Sequence, residues 1–460
     1  MKRFVSALLA ASSLAFGFIS AATATRPHYG GTLRVAIAEA PQSLDPADPV
    51  LDSSTAGRNL ARLIFDRLVI LDERGLPRPA LATSWQAETG DQRWELQLRR
   101  DAAFHDGTPL SAGVAAASLR AANPAWRIEA HGDAVLVEFD SPHPNFLAEL
   151  ALSRNGIAKR AGGKLVGTGA FAIREWEPGR KLLLAANNEY WAGRPFLDAI
   201  AAEMGRSYRD QMIALDLGQA DLIEIPAERA RRAAAENRRV QNSAPVELMA
   251  LVFGRALEMR DDQRLCQAIG LSMDRASLNA ALLEGQGEPT GALLPNWITG
   301  YAFLFSQETN VAQARQIRSE VKSSAAWTLA YDPNDPLARV VAERVALNAR
   351  DAGIALQLTT SGAADLRLVR ASVASVEGRT ALTALAWAIG LPLPRFPGSA
   401  EESLYNGENV LLQTRRAIPL IYLPVSYGVS PAVRNWSATA DGSWRLQDTW
   451  LTPNAAAGKP

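Results

Sequence analysis

Residues Phe104–Val114 read FHDGTPLSAGV. His105 stands beside Asp106 in a chain with only 4 histidines. Whether that pair is catalytic or merely shapes a turn decides between an enzyme and a binding fold. Asp106-Gly107 is a turn dipeptide. Pro109 fixes the exit from the turn, and Ser111 is placed to cap the alanine-rich helix AGVAAASLRAA that follows. Every residue thus has a structural task. A catalytic His–carboxylate pair also needs a nucleophile within reach, a geometry that sequence neighbours rarely achieve. No G-x-S-x-G elbow occurs in the chain to supply one. The stretch predicts a turn that leads into a capped helix, and no catalytic residues.

Upstream, SWQAETGDQRWELQLRRDAAF has the pattern of a hairpin. Trp94, Leu96 and Leu98 alternate with polar neighbours, and Asp91 follows Gly90 in the turn. Downstream, FAIREWEPGRKLLLAANN repeats the scheme. Phe171, Ile173, Leu182 and Leu184 form its apolar face, and Pro178-Gly179 suits the centre of a type II turn. Between them VGTGAF lacks the lysine and helix of a phosphate loop, so a close chain crossing is the expected use of Gly167 and Gly169. At the N-terminal side, GGTLRVAIAEA alternates as a strand, PQSLDPADP can only be a loop, and RNLARLIFDRLVILD has helical spacing. Farther on, WTLAYDPNDPLARVVAERVALNARDAGIALQLT reads strand–helix–strand. Asp335 is its N-cap, Pro336 its first helical residue and Gly353 its stop. Such a unit predicts a parallel crossover, and the alternation along the chain predicts a mixed α/β class.

The first residues, MKRFVSALLAASSLAFGFISAATA, have a basic start (Lys2, Arg3), an apolar run from Phe4 to Ile19 and the small-residue site Ala22-Thr23-Ala24. This is the pattern of a secretory signal peptide over residues 1–24. The sole cysteine, Cys266, lies far from the cleavage site, so neither a lipid anchor nor an internal disulfide is expected. Lys+Arg and Asp+Glu both number 48. That balance gives no electrostatic footprint for nucleic acid and no polybasic membrane patch. His28, His105, His131 and His143 are isolated, with none of the spacings of a metal site. Neither a metal nor another cofactor is therefore expected. Trp191, Trp297, Trp387, Trp436 and Trp444 lie outside the hairpins and are read mainly as packing residues.

The order of motifs carries a further signal. GGTLRVAIAEAPQSLDPADP, PALATSWQAETGDQRWELQLRRDAAFHDGTPLSAGVAAASL, VGTGAFAIREWEPGRKLLLAANNEYWAGRPFLDAI, GQADLIEIP, CQAIGLSMDRASLNAALLEGQGEPTGALLP and IPLIYLPVSYGVSPAVRNW follow one another. In that order they resemble the family 5 extracellular solute-binding proteins, the peptide- and nickel-type binding proteins of ABC importers. The resemblance covers most of the chain after residue 24.

It implies a two-lobed periplasmic binding protein clamp of type II-like architecture, with a small extra domain inserted in lobe I. Lobe I would comprise 25–59, 167–245 and the tail 430–460, the inserted domain 60–166, and lobe II 246–429. It implies a monomer in the periplasm without a lipid anchor. That monomer would capture a peptide or peptide-like small solute and pass it to an ABC importer permease of the inner membrane. The alternatives are a non-peptide ligand (metal chelate, haem, opine-like), service to a sensor, or, in another class, an exported hydrolase. The resemblance also implies ligand-binding positions. Glu39, Ala40 and Pro41 follow the first strand, Tyr427 sits in the returning strand, and Trp387 lies in lobe II. One departure stands out. Peptide-binding members carry an aspartate in a W-x-A-D-Y-like motif for the ligand's α-amine. DLRLVRASVASVEG (Asp365–Gly378) offers Ala374 and Ser375 there and Ala371 for the tryptophan. Either the alignment slips and Glu377 serves instead, or the ligand is not a free-amine peptide; Arg370, close by, is then placed to pair with a ligand carboxylate.

Overall fold

The computed structural model describes residues 26–88, 90–254, 260–321, 326–396 and 400–452. The expected signal peptide lies outside the described residues. None of the helices described is long and apolar enough to cross a membrane.

The chain is organised by an eleven-stranded mixed sheet. Its order runs Phe171–Glu177, Lys181–Ala186, Ala199–Glu203, Thr32–Ala36, Leu222–Ile225, Ala417–Val429, Val240–Phe253, Leu366–Ser372, Trp327–Ala330 and Leu356–Thr359, with Glu288–Pro289 added beside Ala417–Val429. Apolar alternation decides the faces. Leu33, Val35, Ile200, Leu222, Tyr427 and Val429 share one core with Leu60 and Ile64. Met249, Leu251, Leu329, Leu366, Leu420 and Leu423 share another with the helix Pro336–Asp351. These two cores are the two lobes.

Among the described strands, Val240–Phe253 and Ala417–Val429 run through both lobes. They pair antiparallel, but the register shifts between Asn242 and Pro245 and again between Pro245 and Glu247, where Pro245 faces Pro424. A proline brings no N–H to a ladder. The pairing is therefore weakest where the chain passes between the lobes, which suits a hinge.

A four-stranded antiparallel sheet, Ala82–Ala87, Arg93–Leu98, Ala134–Glu138 and Arg127–His131, stands apart from the large one. With the helix Ala112–Ala122 it encloses a separate core of Leu96, Ala115, Leu119, Val137 and Phe146. The FHDGTPL stretch joins sheet to helix. Gly107 takes φ +81°, its N–H donates to Phe104 O at 2.8 Å, and Ser111 Oγ accepts from Val114 N. His105 and Asp106 face different partners. His105 Nε2 lies 2.9 Å from Gly169 O, whereas Asp106 accepts from Thr108 and from Lys159 Nζ at 2.7 Å.

Two expectations need adjusting. RNLARLIFDRLVILD is not helical throughout. The helix is Thr55–Ile64, Phe65 leaves it in an extended conformation, and Val69–Leu71 pairs with Pro77–Pro79 as a strand. The β-branched Val69 and Ile70 favour that outcome. The same helix crosses the division expected between 59 and 60. Its Leu60, Ala61, Leu63 and Ile64 pack in the lobe I core, and the small core begins at Leu68. Gly167 and Gly169 do mark a close crossing: a Cβ on Gly167 would sit 1.9 Å from Ile64 O, and one on Gly169 2.6 Å from Leu63 O.

Candidate functional site: the cleft between the lobes

A cavity of about 1070 Å³ lies between the two lobes, beside the strands that cross between them. Lobe I supplies Glu39 and Ala40 after the first strand, Glu224 from Leu222–Ile225, and Ser207 and Tyr208 at the start of the helix Tyr208–Asp216. Lobe II supplies Glu247, Asp335 and Arg370. The wall is rich in ionisable side chains.

Each ion has a different degree of compensation. Glu247 and Arg370 lie on adjacent strands, diagonal to one another: Glu247 opposes Ser372 and Arg370 opposes Met249. The guanidinium grips Glu247 Oε2 through Nε at 2.9 Å and through Nη2, and its Nη1 reaches Asp335 at 3.4 Å. Burial opposes the charge on Arg370, yet Glu247 and Asp335 outweigh it and raise its pKa. Asp335 also caps the helix Pro336–Asp351, accepting from Leu337 N at 3.0 Å. A hydroxyl chain extends this network to lobe I, since Thr55 Oγ1 lies 2.7 Å from Ser372 Oγ, which donates to Glu247 Oε1.

On the lobe I side no guanidinium among the described residues hydrogen-bonds the acids; Arg58 and Arg370 act on Glu39, and Arg370 on Glu224, only at longer range. Glu224 accepts the Ala38 N–H at 2.7 Å. Burial, with Glu39 and Glu247 adding, pushes its pKa up to about 8 against the Ala38 hydrogen bond and the pull of Arg370. Glu39 accepts from the Ser54 hydroxyl. Its carboxyl is reachable from the cavity yet ringed by protein. Desolvation raises its pKa, opposed by the Ser54 hydrogen bond, with Glu247 raising it further. Glu228, at the start of the helix Ala227–Ala235, is likewise pushed up by burial. Acids held so keep their protons more readily than free carboxyls, and a cationic or hydrogen-bond-donating occupant of the space they share would favour their ionised forms.

The structure brings some of the expected residues together and separates others. Glu39, Ala40 and Arg370 line the cavity. Pro41 is not among its lining residues, and its carbonyl accepts from Gly179 N at 2.8 Å. Arg370 is already engaged by two carboxylates, so a ligand carboxylate would have to compete with them. Ser375 is buried off the cavity, accepting from Glu377 N at 3.1 Å. Glu377 is the N-cap of the helix Gly378–Ile389, accepting from Arg379 N and Thr380 N, and does not reach the cavity. Trp387, 51% exposed, lines a smaller neighbouring cavity. Tyr427, 1% exposed, is a core residue. It packs edge-on against Trp436 and Trp444, while Pro424, Val425 and Ser426 of its own strand line the cleft. A one-residue difference in strand register sends a side chain to the opposite face.

Reading the residues alone missed Glu224, Glu228, Glu247 and Tyr208 and took Asp335 only as a cap. A usable signal existed for two of them. Glu224 in DLIEIP and Glu247 in VELMALVF are lone charges inside apolar strand runs, where burial without a purpose is costly. Among the described residues no group of three or more His, Cys, Asp or Glu side chains is arranged to hold a metal ion.

Comparison with known proteins agrees with this architecture. Residues 77–396 match the model for bacterial extracellular solute-binding proteins, family 5 Middle. The chain is 23% identical over 296 residues to the oligopeptide-binding protein AppA of Bacillus subtilis, covering 58% of this chain and 54% of that one. It is 24% identical over 318 residues to the probable D,D-dipeptide-binding periplasmic protein DdpA of Escherichia coli, covering 62% and 61%. The matched stretches thus span less than two thirds of these relatives. Among solved structures, DppA from Helicobacter pylori in complex with the peptide STSA superposes with a TM-score of 0.80 at 18% identity, over 93% of this chain and 99% of that one. NikA from Staphylococcus aureus in complex with Ni(L-His)2 gives 0.76 at 15% identity, over 92% and 100%. At such identities the structural likeness establishes the two-lobed fold.

Proposed function

Because the chain belongs to the family 5 bacterial extracellular solute-binding proteins, whose members bind substrates rather than transform them, we propose that it captures a peptide or peptide-like small solute in the interlobe cleft and delivers it to an ABC importer. The observation that carries this reading is the cavity of about 1070 Å³ between lobes joined by two strands whose pairing is interrupted at Pro245 and Pro424. Hinge rotation about such strands opens and closes a cleft. A ligand favours the closed form only by contacts it makes better there. The bridge from Thr55 through Ser372 to Glu247 and Arg370 spans both lobes without any ligand, so it supports this lobe arrangement by itself and a ligand adds to it only the contacts of its own.

The cleft also bears on the absent aspartate near Ala374. A free α-ammonium would draw Glu39 and Glu224 on the lobe I wall into their ionised forms, so the acid would be supplied from the opposite side of the cleft. The exported chain would act as a monomer in the periplasm, its partner the importer's permease in the inner membrane.

The test is a thermal-shift screen of the protein from Thr25 onward with di- to pentapeptides, their N-acetylated and amidated forms, nickel chelates and haem. A ligand at 100 times its dissociation constant should add about 2.7 kcal/mol of stability. Stabilisation by free-amine peptides and not by their N-acetylated forms is expected. Stabilisation only by a nickel chelate or haem would overturn the peptide reading.

A further inference from the structure

A second cavity, of about 200 Å³, adjoins the cleft and shares Ser372 and Ala388 with it. Its walls come from three parts of the chain. The loop after the first strand gives Pro46, Pro49 and Asp52; the residues flanking the small core give Asn123 and Arg154; lobe II gives Trp387. Two side chains in it are left incomplete. Asp52 is 7% exposed. Its Oδ1 accepts from Arg154 N at 3.2 Å, but its Oδ2 has no hydrogen-bond partner among the described residues. Arg154 Nη1 stands 3.8 Å from that oxygen, an ion pair in range but too long for a hydrogen bond. A buried carboxylate oxygen without a donor is costly. Trp387, for its part, leaves 51% of its surface open beside the same space.

We propose that this cavity is a side pocket of the cleft for a neutral, planar group that both donates and accepts a hydrogen bond, a phenol or a primary carboxamide carried by the bound solute. The assignment rests on the solute-binding reading above and adds to it the class of side chain recognised. Charge decides the class. A cation entering here would meet Arg154, with Arg58 behind it donating to the Asp52 carbonyl. An anion would meet Asp52. A neutral group can donate to Asp52 Oδ2 and accept from the Arg154 guanidinium at once. Planarity follows from the walls, where an open indole and two prolines offer flat apolar contact to a ring or an amide plane.

The experiment titrates p-cresol and, as its isostere without a hydroxyl, toluene into the protein from Thr25 onward. The readout is the Trp387 indole N–H resonance, assigned by its disappearance in Trp387→Phe. Saturable perturbation by p-cresol, with toluene at least tenfold weaker, is expected. Asp52→Asn keeps the Oδ1 acceptor and replaces Oδ2 by a donor, and should weaken p-cresol tenfold or more. Should that variant fail to fold, Trp387→Ala, at an exposed position, should weaken p-cresol severalfold, measured by titration calorimetry because this variant lacks the reporting indole. Equal affinity for the two probes, or no effect of either one on the indole, overturns the pocket. The two readings fail separately. If no peptide binds the protein but p-cresol does, the pocket stands and the peptide reading falls. If Ala-Ala-Ala binds but tripeptides containing Tyr or Gln gain nothing over those containing Phe or Leu at any position, the cleft stands and the pocket falls.

Discussion

Asp66 and Glu224 are both carboxylates enclosed in lobe I, and desolvation raises the pKa of each. They differ in what surrounds them. Asp66, where lobe I meets the small unit, accepts from Trp191 Nε1 at 2.8 Å, Tyr190 OH at 3.0 Å and Thr168 Oγ1 at 3.2 Å, and Arg67 adds an opposite charge. Glu224, in the cleft wall, accepts the Ala38 N–H and has Glu39 and Glu247 for neighbours. The first is a knot that ties three chain segments together. The second is an acid left under-compensated where a ligand can reach it. Enclosure by itself therefore does not mark a functional acid; the deficit of donors does.

That contrast can be broken by measurement, beginning at the knot. Gly167→Ala places a Cβ against the Ile64 carbonyl beside Thr168. It should cost about 3 kcal/mol or more by chemical denaturation, since backbone cannot yield as a side-chain tip can. Asp66→Ala strands the donors of Trp191, Tyr190 and Thr168 and leaves Arg67 without its opposite charge, and should cost about 3 kcal/mol while leaving ligand affinity of the folded protein unchanged. A loss of affinity with intact stability would move Asp66 into the site and dissolve the comparison.

In the cleft, Arg370→Ala leaves Glu247 without its cation and should cost about 2 kcal/mol, together with weaker ligand binding. Unchanged affinity by calorimetry would reduce Arg370 to a support for the wall.

Glu224→Gln tests the deficit itself. The folded-state pKa of about 8 lies above the ordinary carboxylate value of 4.5. The fold therefore favours the protonated acid, and Glu224 contributes stability that is present at low pH and lost as pH rises from 4.5 through 8. Glutamine removes this dependence. Urea midpoints should favour the variant increasingly from pH 5 to pH 9, by about 1 to 2 kcal/mol at the upper end, below the limiting slope of about 1.4 kcal/mol per pH unit. A constant difference across that range would show that Glu224 is ionised without penalty. The smallest effect belongs to the FHDGTPL turn. Lys159 and Thr108 hold Asp106 at a pKa of about 2, but the pair is solvent-facing. Asp106→Asn should cost less than about 1 kcal/mol and less still in salt.

The residues themselves made much of this fold legible. The hairpins at Arg93–Leu98 and Phe171–Glu177, the capped helix Pro336–Asp351 between parallel strands, and the turn at Asp106-Gly107 are local events, fixed by period-two alternation, caps and positive-φ glycines within a few residues. The site was less legible. Glu39, Ala40 and Arg370 line the cleft, but Tyr427 was expected there and is core. Nothing local tells which face of Ala417–Val429 meets Trp436 and Trp444, because both faces of that strand are buried.

By itself, then, the sequence determined the class, the order of elements and the turn that holds His105-Asp106, since propensity and turn chemistry act between near neighbours. The tertiary structure alone decided which acids are compensated. Glu247 meets Arg370 across 123 positions and Thr55 meets Ser372 across 317. Charge compensation falls off within a few ångströms in space, and only the folded chain sets those distances.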